Sequence, residues 1–164
     1  MTSTTPIEHI RQKIVEPSFF EKHRPMLQHK KTVFTNGCFD VLHYGHVACL
    51  AKARQLGDLL IVGLNSDSSV RRLKGPSRPV NGQMARAMVL AALEMVDYVV
   101  LFDEDTPYRL ITDVKPDVLA KGGDYTPENI AGADFVKNNG GEVVIIPLET
   151  GFSSTDVINK LNIQ

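Results

Sequence analysis

Two periods of apolar spacing alternate along the chain. Thr32 to Thr35, Leu59 to Leu64, Tyr98 to Phe102, Asp117 to Ala120 and Val143 to Ile146 are short runs of strand length. The second of these contains no polar position, as expected of a strand covered on both faces. Between the runs the spacing becomes helical. Val47, Leu50, Ala51, Arg54 and Leu56 mark one helix, closed by Gly57. Met84, Met88, Val89, Ala92, Leu93 and Val96 mark another, with Asn81 as a candidate N-cap. Thr106-Pro107 predicts a cap and first turn for a third, and a fourth runs from Ala131 to Asn138 and stops at Gly140-Gly141. This β-α-β-α rhythm predicts a single α/β domain, a Rossmann-like parallel sheet with helices on both faces. Ligands of such sheets bind beyond the carboxyl ends of the strands, where strand order reverses.

Residues 1–30 stand apart as an N-terminal helical preamble to a main domain over 31–164. Ile7, Ile10, Ile14 and Val15 predict a short amphipathic helix, and Phe19 and Phe20 a second apolar patch. Glu8, Arg11, Lys13, Glu16, Glu21 and Lys22 mix both signs, the usual mark of a solvated face. The preamble is expected to pack on the sheet or on a partner subunit.

At 164 residues the chain is long enough for one domain with a real core and too short for two ordinary ones. A formal charge of −1 supplies no basic field, so no nucleic-acid partner is expected. No apolar run reaches membrane-spanning length, and Met1 to Pro6 lacks a basic start followed by an apolar stretch. A cytoplasmic chain with no membrane partner is expected. Cys38 and Cys49 read as small buried hydrophobes rather than as a disulfide or metal pair.

The chemistry concentrates in Phe34-Thr35-Asn36-Gly37-Cys38-Phe39-Asp40-Val41-Leu42-His43-Tyr44-Gly45-His46, which reads as a strand, a glycine turn and a helix start. A helix N-terminus leaves N–H groups unpaired and carries partial positive charge, so it seats phosphate. Imidazoles at His43 and His46 can donate to phosphoryl oxygens, and Gly45 lets a nucleotide lie close to the backbone. Four further segments converge on the same task. Asn65-Ser66-Asp67 ends the second strand and either projects into the mouth of the site or forms an Asx-type turn. Arg71-Arg72-Leu73-Lys74-Gly75-Pro76 is a basic loop that suits either an anionic substrate or plain solvation. Lys121-Gly122-Gly123-Asp124 follows another strand end, where a lysine can reach a phosphate or simply flank a tight turn. Gly151-Phe152-Ser153-Ser154-Thr155 precedes the last helix, as a second anion cradle and as an ordinary cap.

Asn36-Gly37-Cys38-Phe39-Asp40 followed by His43-Tyr44-Gly45-His46 resembles the signature of the HxGH nucleotidyltransferases, which include cytidylyltransferases and several adenylyltransferases. Val62 to Asp67, Arg72 to Gly75, Arg78 to Asn81, Lys121 to Tyr125 and Gly151 to Thr155 extend the likeness, in fixed order, to the nucleotidyl domain of bacterial ADP-heptose synthases. The resemblance covers residues 30 to 162 and makes 31–164 a nucleotidyltransferase domain, here without a kinase-length extension. It implies adenylyl transfer from ATP to D-glycero-β-D-manno-heptose 1-phosphate, giving ADP-heptose and pyrophosphate for the lipopolysaccharide core. It implies a nucleotide site of Asn36, Gly37, Cys38, Phe39, His43, Gly45, His46, Arg86, Lys121, Gly122, Ser153, Ser154 and Thr155. An acceptor site would comprise Asp40, Asn65, Asp67, Lys74, Gly123 and Asp124, with His43, His46 and Lys121 as the catalytic groups. Mg²⁺ would enter with ATP, held by phosphates and water rather than by a dedicated ligand set, and a homo-oligomer is expected.

The main alternative is another cytidylyltransferase-like enzyme, such as one acting on glycerol 3-phosphate. That branch carries an arginine just ahead of its Gly-Ile-Ser-Thr-Thr segment, where this chain has Pro147-Leu148-Glu149-Thr150. A non-catalytic nucleotide-binding regulator is the third possibility, and the presence of both histidines argues against it.

Overall fold

The computed structural model describes residues 5–123 and 125–161. Five parallel strands form the sheet: β1 (Thr32–Gly37), β2 (Leu59–Asn65), β3 (Tyr98–Phe102), β4 (Val118–Gly122) and β5 (Glu142–Ile146). Their spatial order is β3-β2-β1-β4-β5. Order therefore reverses between β1 and β4, where Val33 lies opposite Val118 and Phe34 opposite Leu119. The crevice at their carboxyl ends is where this architecture places a ligand.

The expected helices cover both faces. Successive strand residues point to opposite sides of a sheet. Val33, Leu60, Val62, Val99, Val118 and Ala120 share one core with α4 (Tyr44–Arg54) and α6 (Gln83–Ala91). Phe34, Ile61, Val100 and Leu119 share the other with α7 (Tyr108–Val114) and α8 (Ala133–Asn138). Each fully buried aliphatic or Phe side chain contributes about 1.5–3 kcal/mol by leaving water. Gly63 sits at the middle of this packing. A Cβ there would lie 2.7 Å from Phe34 Cζ, so the glycine makes room for the ring of the neighbouring strand.

The N-terminal segment packs on the sheet of its own chain. α1 (Pro6–Gln12) opens with a capping box between Thr5 and Glu8. It ends before Ile14 and Val15, which were expected to continue it. The chain instead extends along β3: Val15 N–H donates to Val99 O and Val99 N–H to Lys13 O, both at 2.9 Å. This bridge covers an otherwise open sheet edge. In α2 (Ser18–Lys22), Phe20 is buried and its ring meets Tyr98 edge-on at 5.9 Å. Arg24, which opens α3 (Arg24–Leu27), donates to the carbonyl of Asp113 at 2.9 Å and to that of Val114, near the end of α7.

Three local expectations need correction. Asp67, expected at the mouth of the site or in an Asx-type turn, and Arg71 to Lys74, expected in a basic loop, both lie in α5 (Asp67–Lys74). Ser66 Oγ accepts from Ser69 N–H at 3.1 Å, Asp67 lies in the first turn, and Arg71, Arg72 and Lys74 lie in the last. Those charges complement the helix dipole, and the loop begins only at Gly75. The helix expected to reach Val96 stops at Ala91, and its N-cap is Gly82 rather than Asn81. Asn81 Nδ2 donates instead to Asp40 O at 3.0 Å, which takes its side chain away from the helix. α7 starts at Tyr108 behind Pro107, without a side-chain cap from Thr106. The last helix, α9 (Ser154–Leu161), follows β5.

Candidate active site

A cavity of about 360 Å³ opens at the carboxyl ends of β1 and β4. Its floor is Thr35, Asn36 and Gly37 from β1 with Lys121 and Gly122 from β4, strands that the sheet order makes neighbours. Its walls are Cys38, Phe39, Asp40, His43, Gly45 and His46 on one side and Phe152 with Ser153, Ser154 and Thr155 on another. The N-termini of α4 and α9 thus face one cavity, and each brings unpaired N–H groups and positive dipole.

The turn from β1 into α4 is tightly specified. Phe39 takes a positive φ of 43°, uncommon for a bulky residue, and its ring tilts against His46 at 5.3 Å. His43 precedes the first residue of α4 in extended conformation. Its ring stacks on His46 with centroids 3.8 Å apart and 24° between the planes. His43 N–H donates to His46 Nδ1 at 3.3 Å. Because Nδ1 of His46 accepts, its proton sits on Nε2, available as a donor. A Cβ on Gly45 would lie 3.1 Å from His43 Cε1 and 3.1 Å from Phe152 Cβ. The glycine therefore makes room first for the histidine ring and for Phe152.

Both imidazoles are held neutral. Burial lowers the pKa of His43, and His43 Nδ1 has no hydrogen-bond partner among the described residues. Burial, with neighbouring His43 and Lys74, takes His46 down to about 4. Each ring can therefore donate a hydrogen bond at neutral pH without carrying charge.

The shift also has a stability consequence. An unfolded chain binds a proton on this histidine below about pH 6.5, whereas the folded chain does so only near pH 4. The contribution is fully present above pH 6.5 and is lost as pH falls toward 4, trimmed by the solvent that reaches this half-buried ring. Urea unfolding of wild type and His46→Gln at pH 7 and pH 5 is expected to show the larger acid loss in wild type. Equal losses would contradict a neutral His46.

Lysines supply the positive charge. Lys121 Nζ lies 3.3 Å from Asn36 Oδ1 and 5.4 Å from the centre of the Tyr125 ring. Burial lowers its pKa, so an anion beside it would offset that cost. Lys74, at the end of α5, also lines the cavity. Among the described residues no carboxylate pairs with either lysine.

Other expected site residues sit behind the cavity wall. Arg86 does not line the cavity, and it is not a surface helix residue either. Its Nε donates to Asn81 O at 2.9 Å, Nη1 to Cys38 O at 2.7 Å and Asn65 O at 2.9 Å, and Nη2 to Asp67 Oδ1 at 2.7 Å. It ties the ends of β1 and β2 to the loop before α6. Asn65 is buried and donates to Ser69 Oγ at 3.0 Å, and Asp67 is held by Arg86. Gly123 N–H donates to Ile146 O at 3.1 Å. Asp124 lies outside the described residues.

Asp40 lines the cavity, but its carboxylate is fully engaged. Oδ1 accepts from Val80 N–H at 2.7 Å and Asn81 N–H at 3.1 Å, and Oδ2 from Arg78 Nε at 2.5 Å. Burial works to raise its pKa, and these donors outweigh burial and hold it below the usual carboxylate range. Ser154 Oγ donates to Val41 O at 3.1 Å, which fastens α9 to the loop before α4.

A second concavity of about 360 Å³ adjoins the first and shares Asn36, Gly37, Cys38, Lys74, Lys121 and Tyr125 with it. It continues to Asn65, Asp105, Thr106 and Asn129. Arg78, Tyr125 and Phe152 also line the cavity, although none is among the individually expected site residues. Arg78 stands 38 positions from Asp40, and no local pattern joins the two.

The sequence pattern that defines the cytidylyltransferase-like family matches residues 34–160. The bifunctional protein HldE of Syntrophotalea carbinolica is 60% identical over 132 residues, 80% of this chain and 27% of that protein. The protein of the same name from Cronobacter sakazakii is also 60% identical, over 80% of this chain and 28% of its own length. The chain thus spans little more than a quarter of these relatives. Among solved structures, a lipopolysaccharide core biosynthesis protein from Thermoplasma volcanium superposes with a TM-score of 0.59 at 28% identity, covering 73% of this chain and 97% of that one. Pantoate-beta-alanine ligase from Francisella tularensis, at 17% identity and a TM-score of 0.59 over 91% of this chain and 76% of its own, shares the fold. The strand order, the two helix N-termini around one cavity and the match over residues 34–160 make this chain a member of the cytidylyltransferase-like family.

Proposed function

We propose that the protein is an adenylyltransferase that moves AMP from ATP to D-glycero-β-D-manno-heptose 1-phosphate, giving ADP-heptose and pyrophosphate. One observation carries the transfer chemistry: two stacked neutral histidines at the start of α4 face the start of α9 across a cavity lined by two lysines, neither paired with a carboxylate among the described residues. The substrate assignment rests on the resemblance to ADP-heptose synthases. It is supported by 60% identity to HldE and by likeness to a lipopolysaccharide core biosynthesis protein.

The acceptor phosphate is already an oxyanion at neutral pH, so no strong base is required. One of its oxygens attacks the α-phosphorus of ATP. The bond from that phosphorus to the bridging α–β oxygen breaks, and its electron pair leaves with pyrophosphate. Such a step depends on in-line placement and on stabilising charge over the phosphoryl oxygens. His46 Nε2–H and the His43 ring donate to those oxygens, and Lys121 and Lys74 neutralise charge where the two concavities meet. Ser153, Ser154 and Thr155, with the N-terminus of α9, hold the outer phosphates. The second concavity, beyond Lys74 and Lys121, has room for the sugar.

Mg²⁺ bound to the nucleotide would lower the charge of the triphosphate. The walls offer it little, since both oxygens of Asp40 already accept from protein donors and Glu149 is paired with Lys52. Among the described residues no cluster of three or more His, Cys, Asp or Glu side chains is placed to hold a metal. The ion therefore fits as part of the substrate.

Pyrophosphate release should be clear with ATP and heptose 1-phosphate and much weaker with CTP. A preference for CTP with glycerol 3-phosphate would move the protein to the cytidylyltransferase branch.

A further inference from the structure

Two arginines stand beside the cavity and use their donors differently. Arg86 spends all three guanidinium nitrogens on protein acceptors, and its side chain is 1% exposed. Arg78 lines the cavity, and among the described residues only its Nε is engaged, by Asp40 Oδ2. No acceptor among the described residues meets Nη1 or Nη2 of Arg78. Asp40 meets Arg78 through Oδ2 alone, because Val80 and Asn81 occupy its other oxygen. A guanidinium gripped at Nε by a buried carboxylate has a fixed direction. Its two terminal nitrogens then present a planar fork, the geometry that matches phosphoryl oxygens.

We propose that Arg78 binds the triphosphate chain of the nucleotide through its Nη fork, and that Asp40 is the positioning residue that aims it. The inference rests on the nucleotidyl-transfer reading given above. Placement separates nucleotide from acceptor. Arg78 lines the cavity that contains His43, His46 and the start of α9, whereas the adjoining concavity is bordered by Lys74 and Lys121 without Arg78. Charge separates Arg78 from the lysines. Asp40 cancels its net charge, so Arg78 contributes directed donors, while Lys74 and Lys121 contribute the field.

Calorimetry with ATP, and with inorganic pyrophosphate as a probe of phosphate binding alone, tests the assignment. Arg78→Lys keeps a cation beside Asp40 and removes the fork. Its affinity for both probes is expected to fall about tenfold or more, as for a lost hydrogen bond to a charged group. The KM for the acceptor should stay near that of wild type. A folded Arg78→Lys variant that binds ATP and pyrophosphate as wild type does would overturn the proposal. A crystal structure of the wild-type protein with a non-hydrolysable ATP analogue gives a second reading, free of any folding defect. A phosphoryl oxygen at hydrogen-bond distance from Nη1 or Nη2 supports the assignment, and a triphosphate elsewhere refutes it. Weaker probe binding by Arg78→Lys in an enzyme that makes no ADP-heptose would sink the choice of acceptor and leave Arg78 in its role.

Discussion

Replacing His46 with alanine is expected to lower kcat/KM for adenylyl transfer by about 10²–10³, with far less change in ATP affinity. The expectation follows from where the donor is fixed and when it is needed. His46 Nδ1 accepts from His43 N–H, so Nε2–H is the donor, held between the Phe39 ring and the stacked His43 ring. Charge over the α-phosphoryl oxygens is redistributed as pyrophosphate departs. A donor already in place then favours the transition state over bound ATP. Removing it costs about 3–4 kcal/mol of that preference. His43→Ala should behave alike, because the two rings share one stack and one helix start.

Helix capping is the competing explanation, and it predicts another pattern. Loss of the His43 N–H contact to His46 would cost about 0.5–2 kcal/mol of stability. A variant that merely caps badly would unfold earlier and keep full turnover in its folded fraction. Thermal unfolding run beside steady-state kinetics separates the two. A destabilised but fully active His46→Ala enzyme would remove the histidine from the catalytic step.

Arg86→Met should be the most destabilising of the site variants, by about 2–4 kcal/mol. Methionine matches the stem of the side chain but donates nothing. The carbonyl of Asn65 would then lose a donor in a buried contact, those of Asn81 and Cys38 would lose one in part-buried contacts, and Asp67 would lose its ion pair. Asp67 is partly exposed and can rehydrate, so most of the loss comes from Asn65 O, at about 1–3 kcal/mol for a buried group left unsatisfied, with smaller parts from the carbonyls of Asn81 and Cys38, which water can reach. In a domain of this size the midpoint of thermal unfolding should drop by roughly 10 °C. Urea unfolding gives the free energy directly. A loss under about 1 kcal/mol would mean that the three loops hold themselves without Arg86. Because Cys38 follows β1 and Asn65 ends β2, the surviving folded fraction should also bind ATP more weakly.

Much of the site was legible in the chain because its parts are local. His43, Gly45 and His46 lie within one turn of helix, and the apolar strand ahead of them carries that turn to the edge of a sheet. The misreadings also have local causes. Asn65 to Asp67 and Arg71 to Pro76 suggest a turn and a basic loop by their residue types, although Ser66 and the order of charges also describe a capped helix. Ile14 and Val15 continued a helical spacing in the sequence. In the structure they extend along β3, because an open edge there offers hydrogen bonds that a lengthened α1 could not satisfy. Arg86 was placed among the nucleotide contacts, and its helix instead turns it inward to three backbone carbonyls.

By itself the sequence determined the alternation of strands and helices, the helix start that carries the histidines, and the glycines that let chain segments approach. Each of these follows from short-range sterics, hydrogen bonding and the period of apolar residues. Only the tertiary structure decided that β4 lies beside β1, which brings Lys121 to Asn36 across 85 positions of chain. It also decided that Asp40 takes Arg78, that Arg86 faces inward, and that α9 returns to α4. Parallel pairing and buried ion pairs join residues far apart in sequence. Their energy depends on which groups leave water together, and that is settled only when the whole core closes.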